Sequence, residues 1–314
     1  MEREVRAEAQ KKGGAPFFPL PSSIFFFFSF LQTDSPETPI IRMFGVTAAG
    51  HSVATFLHGF EPYFFAEAPA GFGPDDCDDL ARVLNARLVE RHARVRCPAL
   101  CTGVTLVAGK ASLWQYTGGG TRPFLRIGLA LPALMAAARG MVESGLSVNG
   151  RYLGHTTYES NVIYPLRFMT DCGVVGGNWV ALPAGSYRLG PAGGPGAPRA
   201  THCQVEASAH YSSLTSHAPE GEWARLAPLR VLSVDIECAG RKGHFPEPEH
   251  DPVIQIASLV SVTGEARPAV RNVLTLDTCA PIAGAEVLSF ETEAALLRRW
   301  RDLVIETDPD IIIG

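Results

Sequence analysis

From residue 40 onward, apolar and polar positions follow two different patterns. Short runs rich in β-branched, aromatic and other apolar residues recur at residues 41–46 and 51–58, on either side of the Ala48-Ala49-Gly50 turn, then at 60–65, 104–107, 113–116, 124–131, 158–169, 178–182 and 201–209. Each run predicts a strand, because such side chains suit a pleated, half-buried surface. Helical spacing appears within residues 75–90, where Leu80, Val83, Leu84 and Leu88 form one stripe. Asp75, Asp76, Asp78 and Asp79 stand at its electropositive start. A second helix is expected over residues 132–144, with Gly145 just beyond it. Strands mixed with two helices indicate an α+β domain over residues 40–228. Phe60, Tyr63 and Phe65 either stack on nucleic-acid bases or, as aromatics in strands more often do, fill the core.

The pattern changes character after Pro228. Strands are expected at residues 231–238, 253–262 and 270–276. A helix follows, with Ser289 as its N-cap, Glu291 and Glu293 in the first turn, and Leu296, Leu297, Trp300, Leu303 and Val304 as its buried stripe. Pro309 ends it, and residues 311–313 open a further strand, expected beside and parallel to the first. The first strand carries Asp235 and Glu237 two positions apart, so both carboxylates project from one face. Leu232, Val234, Ile236 and Cys238 are expected to point the other way, into apolar packing. Paired carboxylates repel unless a cation lies between them, and they suit Mg²⁺ or Mn²⁺, which prefer oxygen ligands. Two such ions about 4 Å apart are a common device for hydrolysing phosphodiesters. The three-residue pattern alone has little specificity, since a solvated strand face carries the same acids. Arg241 and Lys242 follow in the next loop. They either steer a nucleic-acid end toward the carboxylates or belong to a solvated loop balanced by Glu247, Glu249 and Asp251.

Composition narrows the picture only slightly. The chain has 314 residues, enough for two domains, and its 46% hydrophobic and 19% charged residues are those of a globular protein. A net charge of -5 provides no global basic field, so any nucleic-acid contact must come from a local groove. Seven cysteines are scattered with no C-x-x-C pair, which favours reduced, mostly buried thiols. Residues 1–39 combine a charged start with a phenylalanine-rich stretch, and are expected to be a disordered or artefactual head. The apolar run at 24–31 is far short of the ~20 residues that span a bilayer, and three prolines precede it. Residues 190–199, rich in glycine and proline, read as a surface loop.

Long ordered stretches carry a resemblance. The run LSVDIECAGRKG, followed by FPEPEHDPVIQIASL, resembles the first exonuclease motif of eukaryotic replicative family B DNA polymerases of the delta catalytic type. FGVTAAGHSVATFLHGFEPYFFAEAPAGFGP and YESNVIYPLRFMTDCGVVGGNWVALPAGSY upstream, and CAPIAGAEVLSFETEAALLRRWRDLVIETDPDIIIG downstream, extend the likeness over residues 40–314. It implies an amino-terminal domain with oligonucleotide-binding-like and RNA-recognition-like elements at residues 40–228. The first half of an α/β ribonuclease H-like 3′–5′ exonuclease domain is implied at residues 229–314. Asp235 and Glu237 correspond to metal-binding catalytic carboxylates, with Mg²⁺ or Mn²⁺ as cofactor. The implied partners are primer-template DNA and its single-stranded 3′ end, accessory polymerase subunits and the sliding clamp. The implied compartment is the nucleus, and no membrane is involved. The remaining exonuclease motifs and the polymerase domain lie beyond Gly314 in the family pattern, so the 314 residues by themselves are expected to have little or no nuclease activity. A partial gene model accounts for this, and a non-catalytic single-strand or partner-binding module is the alternative.

Overall fold

Most of the expected strand runs within the described residues do become strands, but the sheets they build are larger than the sequence pattern announces. The computed structural model describes residues 22–34, 38–110, 122–191 and 193–314. In chain order the first elements are β1 (Ser22–Asp34), β2 (Pro39–Thr47), β3 (Ser52–His58) and β4 (Tyr63–Glu67). Helix α1 (Pro74–Arg91), β5 (Cys101–Lys110), β6 (Arg122–Leu129) and α2 (Met135–Glu143) follow. Then come β7 (Leu146–Val148), β8 (Arg151–Leu153), β9 (Thr157–Tyr158) and α3 (Tyr164–Cys172). Next are β10 (Trp179–Pro183), β11 (Tyr187–Leu189), β12 (Val205–His210) and β13 (Thr215–Ser216). The last part holds β14 (Arg230–Cys238), β15 (Val253–Val262), β16 (Val270–Leu276), β17 (Glu286–Phe290), α4 (Glu293–Thr307) and β18 (Ile311–Ile313). The expected strand at 113–116 lies outside the described residues.

The first sheet has the order β11-β12-β3-β2-β1-β10-β13. An inner strand of this sheet departs from the expectation of a disordered head for residues 22–34, where β1 pairs antiparallel with β2 on one side and β10 on the other; residues 1–21 and 35–37 lie outside the described residues. The apolar run too short for a bilayer is a good length for a strand, and phenylalanine and isoleucine favour pleated, half-buried surfaces. The second sheet, β5-β6-β4-β9, puts α1 and α2 on one face. Leu80, Leu84 and Leu88 of α1 pack there against Phe64, Leu125 and Ile127. The acids at the start of α1 act as helix-start groups: Asp76 Oδ2 accepts from the Gly73 amide at 3.0 Å and Oδ1 from Asn149 at 2.9 Å. Phe60 and Phe65 are buried, and Phe60 packs edge-on against Phe168 and Tyr211, so these rings serve the core. Tyr63 is half-buried, with the Arg126 guanidinium 4.0 Å from its ring centroid.

Two sequence readings fail for local reasons. Residues 158–169 hold a two-residue strand and then α3, because Pro165 sits in the first turn, where its missing N–H costs nothing, and Gly173 closes the helix in the left-handed region at φ 63°. Ser289 is not the cap of α4, since it pairs with Thr275 inside the sheet. Thr292 caps the helix instead, accepting the Ala295 amide at 3.3 Å.

The third sheet has the order β17-β16-β15-β14-β18. Strand β18 lies parallel to β14, as the pattern predicts, with Val231, Leu232 and Ser233 level with Ile311, Ile312 and Ile313. Helix α4 covers one face, burying Leu296 against Ile256 and Leu274, with Val234, Leu288, Phe290 and Trp300 around them. A small apolar cluster joins this sheet to the first one: Val46, Trp179, Ala227 and Leu229, with Trp223, Val231 and Ile311 against them. Arg230 fixes the start of β14, donating its amide to Asp310 at 2.7 Å and its guanidinium to the Thr307 carbonyl at 3.1 Å.

Candidate active site

The uncovered face of the third sheet carries the acids. Asp235 stands opposite Ala257 and Glu237 opposite Gln255 across the antiparallel pair of β14 and β15. Both carboxylates are exposed and share a face with Ser233 and Leu259. Asp235 Oδ1 accepts the Ile236 amide at 3.0 Å. The register slips between Glu237 and Cys238, a bulge that ends regular pairing at the second acid. Bulges re-aim side chains and are frequent next to active sites.

The expected alternation holds for half of its apolar positions. Leu232 is fully buried and Val234 packs under α4. Cys238 is half-buried, but Ile236 is 54% exposed, contrary to its expected place in the core. Strand β18 accompanies β14 only as far as Ser233, so among the described residues the far end of β14 is a sheet edge without a flank.

Asp235 lines an open cavity of about 890 Å³ with Ser233, Leu259, Arg271, Ile282 and Ile313. Glu237 is not part of its lining. Arg271 stands opposite Leu259 on the same face as Asp235 and brings a positive charge into the concavity. The sequence reading passed over Arg271. Its signal is only the alternation of β16, and it becomes visible once the register of β15 against β16 is known.

Arg241 and Lys242, the residues expected to touch nucleic acid, differ in what they do. Arg241 clamps its own loop. Its Nε bonds Asp251 Oδ1 at 3.2 Å, and its Nη2 bonds Asp251 Oδ2 at 3.1 Å and Glu247 at 2.7 Å. Asp251 is buried and also accepts the amides of Arg241 and Glu247, at 3.0 and 2.8 Å. The Glu247 amide, then the Arg241 guanidinium, hold the Asp251 carboxyl below its usual range. Lys242 stands exposed on this clamped loop, and Phe245 is 90% exposed at its tip.

Arg241→Ala should speed amide hydrogen exchange across residues 239–251 by about tenfold, because a buried carboxylate loses its charged partner. Unchanged exchange there would show that the backbone amides alone hold the loop. A depressed carboxyl stabilises the fold fully above the ordinary aspartate pKa of about 3.9 and loses that effect as pH falls through its lower folded value. Acidification below about pH 4 should therefore loosen the wild-type loop and change Arg241→Ala less.

Asp235 and Glu237 are the two oxygen-bearing groups of this face. Carboxylates on an open strand face fit a hard divalent ion. Among the described residues, no group of three or more His, Cys, Asp or Glu side chains is placed to hold one. All seven cysteines are free thiols, and no helix among the described residues is long and apolar enough to cross a membrane.

Comparison with known proteins places this sheet. The family model for the exonuclease domain of DNA polymerase family B matches residues 155–314, which takes in the sheet with Asp235 and Glu237. The chain belongs to DNA polymerase family B. An Arabidopsis thaliana protein named DNA polymerase delta catalytic subunit is 50% identical over 285 residues, covering 90% of this chain and 25% of that protein. The Bos taurus protein of the same name is 48% identical over 307 residues, covering 96% and 26%. The Schizosaccharomyces pombe one is 41% identical over 295 residues, covering 91% and 26%. The structure of the family B DNA polymerase from the hyperthermophilic archaeon Pyrobaculum calidifontis shares the fold, with a TM-score of 0.60 and 24% identity over 93% of this chain and 30% of that one. This family B chain thus spans about a quarter of the length of the relatives it matches.

Proposed function

We propose that this family B chain is the amino-terminal part of a replicative, delta-type DNA polymerase, and that Asp235 and Glu237 are the first two catalytic carboxylates of its 3′–5′ proofreading exonuclease. The observation that carries the reading is the placement of both acids on the uncovered face of β14, within the region matched by the exonuclease family. A divalent metal, Mg²⁺ or Mn²⁺, supplies Lewis-acid stabilisation of the scissile phosphate when bound. Asp235 and Glu237 would hold it through their oxygens, and Ala257, opposite Asp235, leaves room for a terminal nucleotide. Arg271 offsets phosphate charge in the cavity beside Asp235. Phe245 offers an exposed ring on which the terminal base stacks, and Lys242 a cation for the backbone.

The remaining assignments rest on the same reading. Residues 229–314 form the first part of a ribonuclease H-like exonuclease domain, and residues 40–228 the polymerase amino-terminal domain. A four-stranded sheet with two helices on one face supports its RNA-recognition-like element, and the seven-stranded sheet is the candidate for the oligonucleotide-binding-like one. The partners are primer-template DNA, its single-stranded 3′ end, accessory subunits and the sliding clamp, in the nucleus.

Two carboxylates bind Mg²⁺ weakly, since the ion demands several well-placed oxygens. The 314-residue chain alone should therefore release no nucleotide above background from a 3′-labelled single strand in Mg²⁺ or Mn²⁺. Metal-dependent release that disappears in Asp235→Ala would refute the two-ligand account of this chain while supporting the role of Asp235.

A further inference from the structure

The outer edge of the seven-stranded sheet carries a second chemical grouping, remote in sequence from the carboxylates. Strands β11, β12 and β3 lie side by side there. Arg188 stands opposite Ser208 in the antiparallel pair of β11 and β12, and His210 lies level with His58 in the parallel pair of β12 and β3. Ser208 and His210 are two residues apart, so Arg188, Ser208, His210 and His58 share one face. With Ser186 they line a concavity of about 440 Å³. Ser208 is 8% exposed, and its Oγ has no hydrogen-bond partner among the described residues. A buried hydroxyl left unpaired in a cavity is costly, and a ligand oxygen would relieve it.

Two histidines flank this hydroxyl. The Ser212 hydroxyl and amide lie 2.8 and 3.4 Å from His210 Nδ1, so that edge of the ring is engaged within its own turn and Nε2 is the edge left for another partner. That ring lies directly over Gly59, whose φ is +86°, and a Cβ there would collide with Nε2. Glycine is thus required both for the backbone conformation and for the close approach of the imidazole. His58 is half-buried, and burial, then the charges of Arg188 and His210, push its pKa down. Arg42 of β2 is a further cation on this face, its guanidinium 5.6 Å from the Phe56 ring centroid. The acid nearest along β12 on this face is Glu206, one pleat beyond Ser208, and its Oε1 accepts the Thr201 amide and hydroxyl at 2.7 and 2.8 Å. Glu206 Oε2 is buried without a partner among the described residues, so the face gathers cations and donors, with one partly paired carboxylate, around an unpaired hydroxyl.

We propose that this concavity binds a phosphate group, with Arg188 supplying the fixed charge and His58, His210 and Ser208 the further donors. The phosphate comes either from the backbone of a single-stranded nucleic acid or from a free phosphate, and the chemistry of recognition is the same. Bound anion favours the cationic form of His58, so binding and protonation support each other.

The test follows the histidine Cε1–H resonances of the 314-residue chain through a pH titration, with His58 assigned from a His58→Gln variant. It is repeated with inorganic phosphate, with oligo(dT), and with chloride at matched ionic strength. Phosphate or oligo(dT) should raise the His58 midpoint by about one pH unit over chloride. Arg188→Ala, an exposed substitution that leaves the core intact, should abolish the shift, and Arg188→Lys should restore part of it. A response to oligo(dT) alone identifies a nucleic-acid backbone, and a response to phosphate alone a free anion. Equal midpoints in all three solutions, or a shift that persists in Arg188→Ala, would overturn the proposal.

Discussion

Trp179→Ala should lower the stability of the chain by about 3–5 kcal/mol, a large share of the total for a domain of ordinary stability. Trp179 is 1% exposed and is the largest fully buried side chain in the apolar cluster that ties β10 and β2 to the start of β14. Its indole N–H donates to the Arg225 carbonyl at 2.7 Å, and the Arg225 guanidinium lies 5.2 Å from its ring. Removing the ring empties a site lined by Val46, Ala227 and Leu229, which sit on two different segments and cannot all close in. Trp179→Phe keeps most of the volume and loses chiefly the hydrogen bond, so it should cost less, about 1–2 kcal/mol. Urea unfolding followed by circular dichroism measures both. Hydrogen exchange at residues 229–234 should rise in the alanine variant, because this cluster also holds Leu229 and Val231. A Trp179→Ala midpoint shift worth less than about 1 kcal/mol would mean that the cluster closes around the gap and does not fasten the two sheets.

How much of this was legible in the sequence depends on whether the deciding partner lies nearby in the chain. Strand β16 was readable to its ends, since VRNVLTL is a short run rich in β-branched and apolar residues. The parallel placement of β18 beside β14 was also readable, because a helix between two strand runs forces a crossover. Ser289 was misread as a cap because a short strand, β17, precedes the helix. Its pairing with β16, with the Ser289 and Thr275 hydroxyls 3.1 Å apart, is a non-local fact. Residues 158–169 were misread because β-branched and aromatic residues outweighed Pro165, the stronger local signal. At the site, alternation alone placed Asp235 and Glu237 together. It could not reveal that Arg241 is tied to Asp251 ten residues on, nor that Arg271 shares the cavity with Asp235. The carboxylates were legible because two residues on one strand define their geometry, whereas their cationic neighbours depend on loop closure and strand register.

In the full-length protein that carries this chain, Asp235→Ala with Glu237→Ala should slow removal of a mismatched 3′ nucleotide by at least about 100-fold. Changes in groups that merely orient metal ligands typically cost 10–100-fold, and the ligands themselves cost more. The loss should not reflect unfolding. Both side chains are exposed, Asp235 accepts the amide of its own neighbour Ile236, and removing two neighbouring negative charges relieves repulsion. Thermal stability without metal should therefore stay within about 0.5 kcal/mol of the parent, as for ordinary surface substitutions. Isothermal titration should show Mn²⁺ binding at this site lost in the double variant. Ala257→Leu makes a sharper companion test, because it keeps both carboxylates and fills the face directly opposite Asp235. It should reduce nucleotide release while leaving Mn²⁺ binding largely in place, separating the space the terminal nucleotide needs from the oxygens the metal needs. Single-turnover release from a 3′-labelled mismatched primer measures all of these. If the double variant releases the nucleotide within about twofold of the parent, against the loss expected on removing metal ligands, the chemistry lies elsewhere and the acids of β14 are a solvated strand face.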